Sequence, residues 1–374
     1  MSKPYYRMCS RCVMDTSDPD IAFDAIGRCN HCRRFLARRE FMLSSQTRAR
    51  LDGVVAEIRE LGRSKPFDCV VGVSGGVDSC FLLYVVNSLG LRPLAVHMDN
   101  GWDSDVAIQN IKNMVQKLGV EYASAVLEWN EFRDLQLAFL KASVPEIETP
   151  TDIAIPAVLH REAAEHGVRS VVLGSSYESE GILPASWHYN AKDLKYMNAI
   201  HRQYGSGRLP TFPTFALKDE LFYKFVKGIR ITYLLHYYSY KRSDAVRLLK
   251  DEFGWRDYGG KHHESTFTAF VQSYVLPRKF NIDYRRATLS TQICNGAVTR
   301  EEALEILAKP PYDASALPAQ LEYVAKKFGV EVRELERILD APAKAFTDYP
   351  NNQTFLETAY SVYRKVRAHS AAAV

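Results

Sequence analysis

Apolar positions along the chain fall into two rhythms. Between residues 65 and 177, short β-branched runs alternate with longer stretches whose apolar residues recur every three or four positions. That is the pattern of strands buried on both faces and of the helices that cover them. The runs predict strands over 68–73, 92–98, 121–127 and 169–173, and helices over 77–89, 106–118, 131–142 and 152–166. A parallel neighbour needs a crossover, so this alternation predicts an α/β, doubly wound parallel sheet. Ahead of it, Leu51, Val54, Val55, Ile58 and Leu61 keep helix spacing and predict a connecting helix. Beyond Glu178 helices are expected over 218–227, 229–240, 300–308, 317–328 and 331–340, with a Gly/Pro-rich link over 205–213. Thr299 and Glu302 stand at capping-box distance. The expected organisation is a cysteine-rich module over 1–40, a linker helix over 41–64, an α/β domain over 65–200 and a mainly helical region over 201–374.

Composition narrows the class without naming an activity. The 374 residues are 47% hydrophobic and 25% charged, as in a soluble globular protein of about two domains. No apolar run approaches the roughly 18–20 residues of a membrane span, and the first residues lack the apolar region of a signal peptide, so a cytoplasmic protein without a membrane partner is expected. Forty-eight basic against 44 acidic residues leave a net charge of +4, too small to require nucleic acid. Arg33, Arg34, Arg38 and Arg39 are read as a solvated helix face.

Cys9-x2-Cys12 and Cys29-x2-Cys32, with 16 residues between the pairs, form a zinc signature. Each pair makes a knuckle offering two thiolates, and two knuckles complete a tetrahedron. Four thiolates close the site, so the expected Zn²⁺ is structural, and His31 inside the second knuckle is not needed as a ligand.

In open α/β sheets ligands sit beyond the carboxyl ends of the strands. The first such stretch is Ser74-Gly75-Gly76-Val77-Asp78-Ser79, between a β-branched strand and an amphipathic helix. Paired glycines, flanking hydroxyls and the N-terminus of a helix make a phosphate site. The GxxxxGK[ST] spacing and its lysine are missing. The later post-strand stretches are 99–102, 128–129 and 174–176. Asp99 is either a site carboxylate or a turn former. Gly174 and Ser175 permit close backbone approach, and Glu178 or Glu180 could offer a carboxylate to Mg²⁺. Further on, Gly259-Gly260-Lys261-His262-His263-Glu264-Ser265 concentrates a cation, imidazoles and a carboxylate on one turn, which points to ligand binding. Tyr233, Tyr237 and Tyr240 are read as core at helical spacing.

SGGVDS resembles the SGGxDS loop of the PP-loop ATP-pyrophosphatase superfamily (adenine nucleotide alpha hydrolase-like), which includes GMP, NAD and asparagine synthetases and tRNA thiolation enzymes. Together with the ribbon around Met8–Thr16, the segment His97–Trp102 and the GGKHHES loop, the chain is similar to bacterial N-acetyl sugar amidotransferases. The resemblance implies adenylation of an acetamido oxygen on a nucleotide-linked sugar, release of pyrophosphate and displacement of AMP by ammonia, in surface-polysaccharide or flagellar-glycan synthesis. It implies that Ser74, Gly75, Gly76, Val77, Asp78 and Ser79 hold pyrophosphate, that Asp78 holds Mg²⁺, and that Met98 and Asp99 meet the adenosine of ATP; by their post-strand position Gly174 and Ser175 are expected to meet ATP as well, and Glu178 to be the second Mg²⁺ ligand. Lys261, His262 and Glu264 would serve the sugar or its phosphates. Cys69, Cys80 and Cys294 lack the glycines of a nucleophile elbow, so ammonia is expected free or from a separate glutaminase and cyclase-like pair. A tRNA thiolation enzyme and a non-catalytic zinc-ribbon binder on an ATP-binding scaffold are the alternatives.

Overall fold

The computed structural model describes residues 6–45, 48–238, 240–260 and 263–372. Its centre is a five-stranded parallel sheet of β1 (Cys69–Gly72), β2 (Pro93–Asp99), β3 (Glu121–Val126), β4 (Ser170–Val172) and β5 (Arg230–Thr232). The order across the sheet is β3-β2-β1-β4-β5. The chain therefore reverses direction across the sheet on either side of β1, which places the phosphate-loop stretch at a topological switch point.

Ahead of the sheet lie α1 (Asn30–Ser45) and α2 (Arg48–Leu61), where a single connecting helix was expected; then α3 (Val77–Ser88), α4 (Asp105–Leu118), α5 (Trp129–Ala142) and α6 (Thr149–Glu165) follow the strands as the apolar rhythm predicts. Period-two alternation sorts β1 between two cores. Cys69, Val71 and Val73 pack with α3 and α4, while Val70 packs on the opposite side with Ile153, Ala154 and Val158 of α6. Both faces of the sheet are covered, which is why its central strands read as continuous apolar runs.

One expectation fails. Residues 229–240, read as a helix, form β5 followed by a single 3₁₀ turn over Leu234–His236. Gly228 at φ +68° ends the preceding helical stretch, and Ser170, Val171 and Val172 of β4 pair with Arg230, Ile231 and Thr232. The pairing is with a strand some 60 residues upstream in the chain. A helical spacing of aromatics carries no information about such a partner. The sheet thus draws its last strand from beyond residue 200, where the α/β domain was expected to end.

After β4 come α7 (Tyr177–Glu180), α8 (Leu194–Tyr204), α9 (Leu217–Leu221) and α10 (Arg242–Phe253), then α11 (Thr266–Phe270), α12 (Leu276–Phe280), α13 (Tyr284–Asn295), α14 (Arg300–Ala308), α15 (Leu317–Phe328), α16 (Val332–Asp340) and α17 (Gln353–Ala372). Thr299 caps α14 with the reciprocal Glu302 bond that the spacing predicts. One buried cluster runs from the four ribbon cysteines through the sheet to Phe328 and Tyr349, so ribbon, sheet and C-terminal helices share a core.

The tightest backbone junction lies at the first loop. Gly75 sits at φ +78°, and a Cβ there would lie 2.4 Å from the Ala107 carbonyl oxygen of α4. Its own carbonyl accepts from Trp255 Nε1 at 3.0 Å and Asn110 Nδ2 at 3.3 Å. Asn110, fully buried, also holds the Arg256 backbone through both its amide groups. Gly75→Ala is therefore expected to cost about 2–3 kcal/mol through steric overlap and a strained φ. Gly53→Ala, in α2 with nothing within 4 Å of the added Cβ, is the control and should hold or gain stability. Thermal and urea unfolding of the two variants check this; an unchanged Gly75→Ala would contradict the junction's rigidity.

Candidate functional site

Ser74 to Ser79 leave β1 and enter α3, and Gly76 is the helix N-cap without any side-chain cap bond. The first turn of α3 thus presents backbone N–H groups and the positive end of its dipole outward. Ser79 Oγ bridges the loop, accepting from Ser74 N at 3.1 Å and donating to the Gly76 carbonyl at 3.1 Å. Gly174 presses against this turn: a Cβ there would lie 3.0 Å from the Asp78 carbonyl.

Two distant segments close over the loop. Trp102 to Ser104, after β2, pair with the segment 264–266: Ser104 N donates to the Glu264 carbonyl and Thr266 N to the Trp102 carbonyl, both at 2.8 Å. This brings the Glu264 carboxylate to the loop, where Ser74 Oγ donates to Oε1 at 3.2 Å. Its other oxygen, Oε2, is buried with no hydrogen-bond partner among the described residues. The Tyr258 hydroxyl meets the Val77 backbone beside it. His97, buried at the end of β2, joins Val73 O at 2.9 Å to Asp103 Oδ2 at 3.1 Å. Burial alone would lower its pKa, but the Asp103 hydrogen bond and charge outweigh it and raise it.

Asp78 is gripped from the other side. Ser179 Oγ donates to Oδ2 at 3.1 Å, the Tyr240 hydroxyl donates to Oδ1, and Arg242 Nη1 stands 3.9 Å from Oδ1. Burial and the Asp78 charge push the Tyr240 hydroxyl's pKa up, so it remains a donor. Tyr240, read from sequence as core, is buried but belongs to the site.

Asp78, Arg242, Tyr258, Glu264, His97 and Asp103 line a cavity of about 560 Å³, with Tyr240 and Ser179 behind Asp78. Of the expected residues, Ser74, Gly76, Val77, Asp78, Ser79, Met98, Gly174, Ser175 and Glu264 lie on it. Gly75 is beneath, carrying the turn. Asp99 proves to be a turn former: Oδ1 accepts from Gly101 N at 2.8 Å, and its neighbours Met98 and Asn100 face the cavity instead. Glu178 is turned away to Arg39 of α1, 3.3 Å distant, so the carboxylate this loop offers to the cavity is Glu180. Lys261 and His262 lie outside the described residues.

Another part of the cavity wall was not foreseen. Glu146 and Glu148, between α5 and α6, and Asp152, in the first turn of α6, line it together with Tyr284. No short motif marks them; the acidic spacing in Pro145–Asp152 is the only trace in sequence. Glu148 is held by Gln136 Nε2 at 3.3 Å and Thr268 Oγ1 at 2.8 Å. Glu146 is 8% exposed, and the Tyr196 hydroxyl donates to it at 3.2 Å. Burial pushes its pKa up to about 7.

In the N-terminal ribbon the four thiols are fully buried and lie within 4.8 Å of one another. The Cys9–Cys32 and Cys12–Cys29 sulfurs are 3.8 and 3.6 Å apart. A tetrahedral zinc with Zn–S near 2.3 Å sets sulfurs about 3.8 Å apart. Cys12 N and Cys29 N point at Cys9 Sγ, at 3.4 and 3.2 Å, as donors to a thiolate. His31 is bound to Asp18 at 2.5 Å and is no ligand. The donor set fits structural Zn²⁺. Arg300 anchors the ribbon by donating to the Cys9 and Cys12 carbonyls, and Arg286 by donating to Val13 O and pairing with Asp15.

Residues 264–367 match the family described as LPS biosynthesis protein WbpG-like, C-terminal domain. No curated protein matches the sequence. Among solved structures, NMN synthetase from Francisella tularensis is similar over 57% of this chain and 93% of its own, at 14% identity and TM-score 0.28. A predicted subunit of tRNA methyltransferase from Methanocaldococcus jannaschii covers 49% of this chain and 74% of its own, at 14% identity and TM-score 0.27. At these TM-scores neither likeness bears on activity.

Two outcomes follow from this geometry. Purified protein is expected to carry one zinc per chain, lost with the fold of the ribbon in Cys29→Ser; elemental analysis and hydrogen exchange check it. The raised Glu146 pKa means the folded chain holds this proton more tightly than the unfolded one, so stability from the protonated carboxyl is full below about pH 4.5 and fades as pH rises to about 7. Between pH 5 and 8 the wild type should lose about 2 kcal/mol relative to Glu146→Gln in urea unfolding. Parallel pH profiles would refute it.

Proposed function

We propose, starting from the WbpG-like C-terminal domain carried by residues 264–367 and the phosphate loop at 74–79, that this chain is an ATP-using enzyme of lipopolysaccharide synthesis. It adenylates the acetamido oxygen of a nucleotide-linked N-acetyl sugar, and ammonia then replaces that oxygen to give an acetamidino group. The observation that carries the reading is one contact: Glu264, the first residue of the matched segment, reaches Ser74 of the loop at 3.2 Å inside the shared cavity. The polysaccharide-specific part of the chain thus completes the nucleotide-sized site.

An amide carbonyl is a poor electrophile, and its oxygen leaves poorly. Attack of that oxygen on the α-phosphorus breaks the bond to pyrophosphate and turns the oxygen into part of a good leaving group. Ammonia then adds to the carbon, and the C–O bond breaks with AMP taking the electron pair. The loop N–H groups and Arg242 neutralise the departing pyrophosphate. Gly174 and Ser175 allow the nucleotide close to the strand ends, with Met98 and Asn100 beside the adenosine. Asp78, Glu264 and Glu180 are the carboxylates that would hold Mg²⁺, which when bound offsets phosphate charge. The orphaned Glu264 Oε2 fits such a ligand role. Glu146, on the wall of the same cavity, is the proton acceptor for ammonium.

The thiolation alternative needs a reactive thiol near the loop. Cys69 and Cys80 are buried, and burial pushes both thiols up and away from thiolate. Ammonia is drawn from solution or from a separate glutaminase.

Incubation with ATP, Mg²⁺, ammonium and a panel of nucleotide-linked N-acetyl sugars should yield AMP, pyrophosphate and a product in which one oxygen is exchanged for one nitrogen. Asp78→Asn should lower kcat by about 10²–10³, the usual range for losing one charge-stabilising group. AMP absent across the panel would reject the assignment.

A further inference from the structure

The two edges of the sheet are guarded differently. At one edge, β5 is three residues long and opens on Arg230, which pairs with Glu57 of α2. Short length and a charge are common means of keeping an edge from accepting a further strand. At the other edge, β3 runs for six residues and has β2 as its only strand neighbour among the described residues. It contains no lysine, arginine, proline or glycine, and Glu121 at its start is its single charge.

Alternation along β3 fixes what that edge offers. Leu127 N donates to the Asp99 carbonyl of β2 at 2.9 Å, and successive backbone groups along a strand point to opposite sides. The N–H and C=O groups of Glu121, Ala123 and Ala125 therefore face β2, and those of Tyr122, Ser124 and Val126 face outward. Side chains alternate between the two faces in the same way. Ala123 and Ala125 pack against the main core, whereas Tyr122, Ser124 and Val126 are exposed, Tyr122 by 41% and Val126 by 72%.

The order Tyr122-Ala123-Ser124-Ala125-Val126 reads nearly alike from either end about Ser124. A second copy related by a twofold axis normal to the sheet at Ser124 meets this edge antiparallel. Ser124 then faces its own counterpart, and Tyr122 faces Val126 of the partner subunit on both sides of the axis. Every outward N–H and C=O of the three residues finds a partner in that register. Aromatic and β-branched side chains set directly opposite each other stabilise a strand pair. A two-residue slip sets Ser124 against one of the apolar pair and leaves the other beyond the end of the strand.

We propose that β3 is a homodimer interface, through which two copies of the chain join edge to edge, Ser124 on Ser124, into one continuous sheet. Antiparallel joining points the carboxyl ends of the two sheets, and with them the two cavities, in opposite directions, so both stay open. The contact is short for a permanent interface, and half-association on the order of 10 µM is expected. Nothing in it depends on the reaction proposed above.

Sedimentation velocity of the full chain from about 1 to 200 µM should show a monomer passing into a dimer and no larger species. Ser124→Lys and Ser124→Glu change an exposed side chain, so each should unfold thermally as the monomeric wild type does. Each sets like charges opposite one another and should weaken the dimer about tenfold or more. A one-to-one mixture of the two variants should recover it, because lysine then faces glutamate. A wild type that stays monomeric to about 200 µM overturns the proposal. So does a dimer that either substitution leaves intact, which would place the contact elsewhere, or one that the mixture fails to restore.

Discussion

The site depends on how Gly75 is held. Its backbone lies too close to α4 for any side chain, and its carbonyl takes two buried donors, Trp255 Nε1 and Asn110 Nδ2. Asn110 acts as a piece of backbone inserted between the loop and Arg256, bonding to both. A buried amide is costly unless its groups are paired, and here its oxygen and nitrogen both are. The result is a loop whose N–H groups are fixed in direction before any anion arrives, which spares reorganisation during reaction.

The same junction ties the sheet to later segments. Residues 255–258 are carried by their bonds to Asn110 and Gly75, and residues 264–266 by their bridge to 102–104. Trp102 makes that bridge stiff: fully buried, it stacks on Phe267 at 4.8 Å and donates to Gln136 at 2.6 Å. Aromatic packing behind the cavity wall thereby sets where the Glu264 carboxylate stands. The ribbon plays a parallel part for a second cleft of about 1440 Å³, lined by residues of α1, α7, α10 and α13. Arg286 and Arg300 seat it on α13 and α14, Phe35 stacks on Tyr177 at 4.8 Å, and α1 then delivers Arg39 and Leu43 to the cleft wall. A metal in the four-thiol site would couple its folding free energy to that wall although it lies outside both cavities.

Much was legible along the chain because the signals are local. Strand and helix identities from β1 to β4, the capping box at Thr299, the thiol knuckles and the phosphate loop each depend on residues within a few positions of one another. Less local readings went astray in instructive ways. β5 was taken for helix because its only reason to be extended is an edge of β4. Asp99 and Glu178 were placed in the site by their loop positions, yet a side chain there has several directions open to it, and a Gly101 amide and an Arg39 guanidinium claimed them.

Local chemistry in the amino-acid order by itself determined the parallel sheet, the anion loop and the four-thiol cluster, since short-range periodicity, glycine freedom and knuckle spacing need no distant partner. Tertiary structure alone decided the rest of the cavity. Glu146, the near neighbours Tyr240 and Arg242, and Tyr258 come from three separated parts of the chain; Tyr240, Arg242 and Tyr258 meet the loop, and Glu146 the cavity it opens on, only because the fold brings them together. Burial then does what composition could not express: it raises one carboxyl toward neutrality and holds Tyr240 as a donor to Asp78.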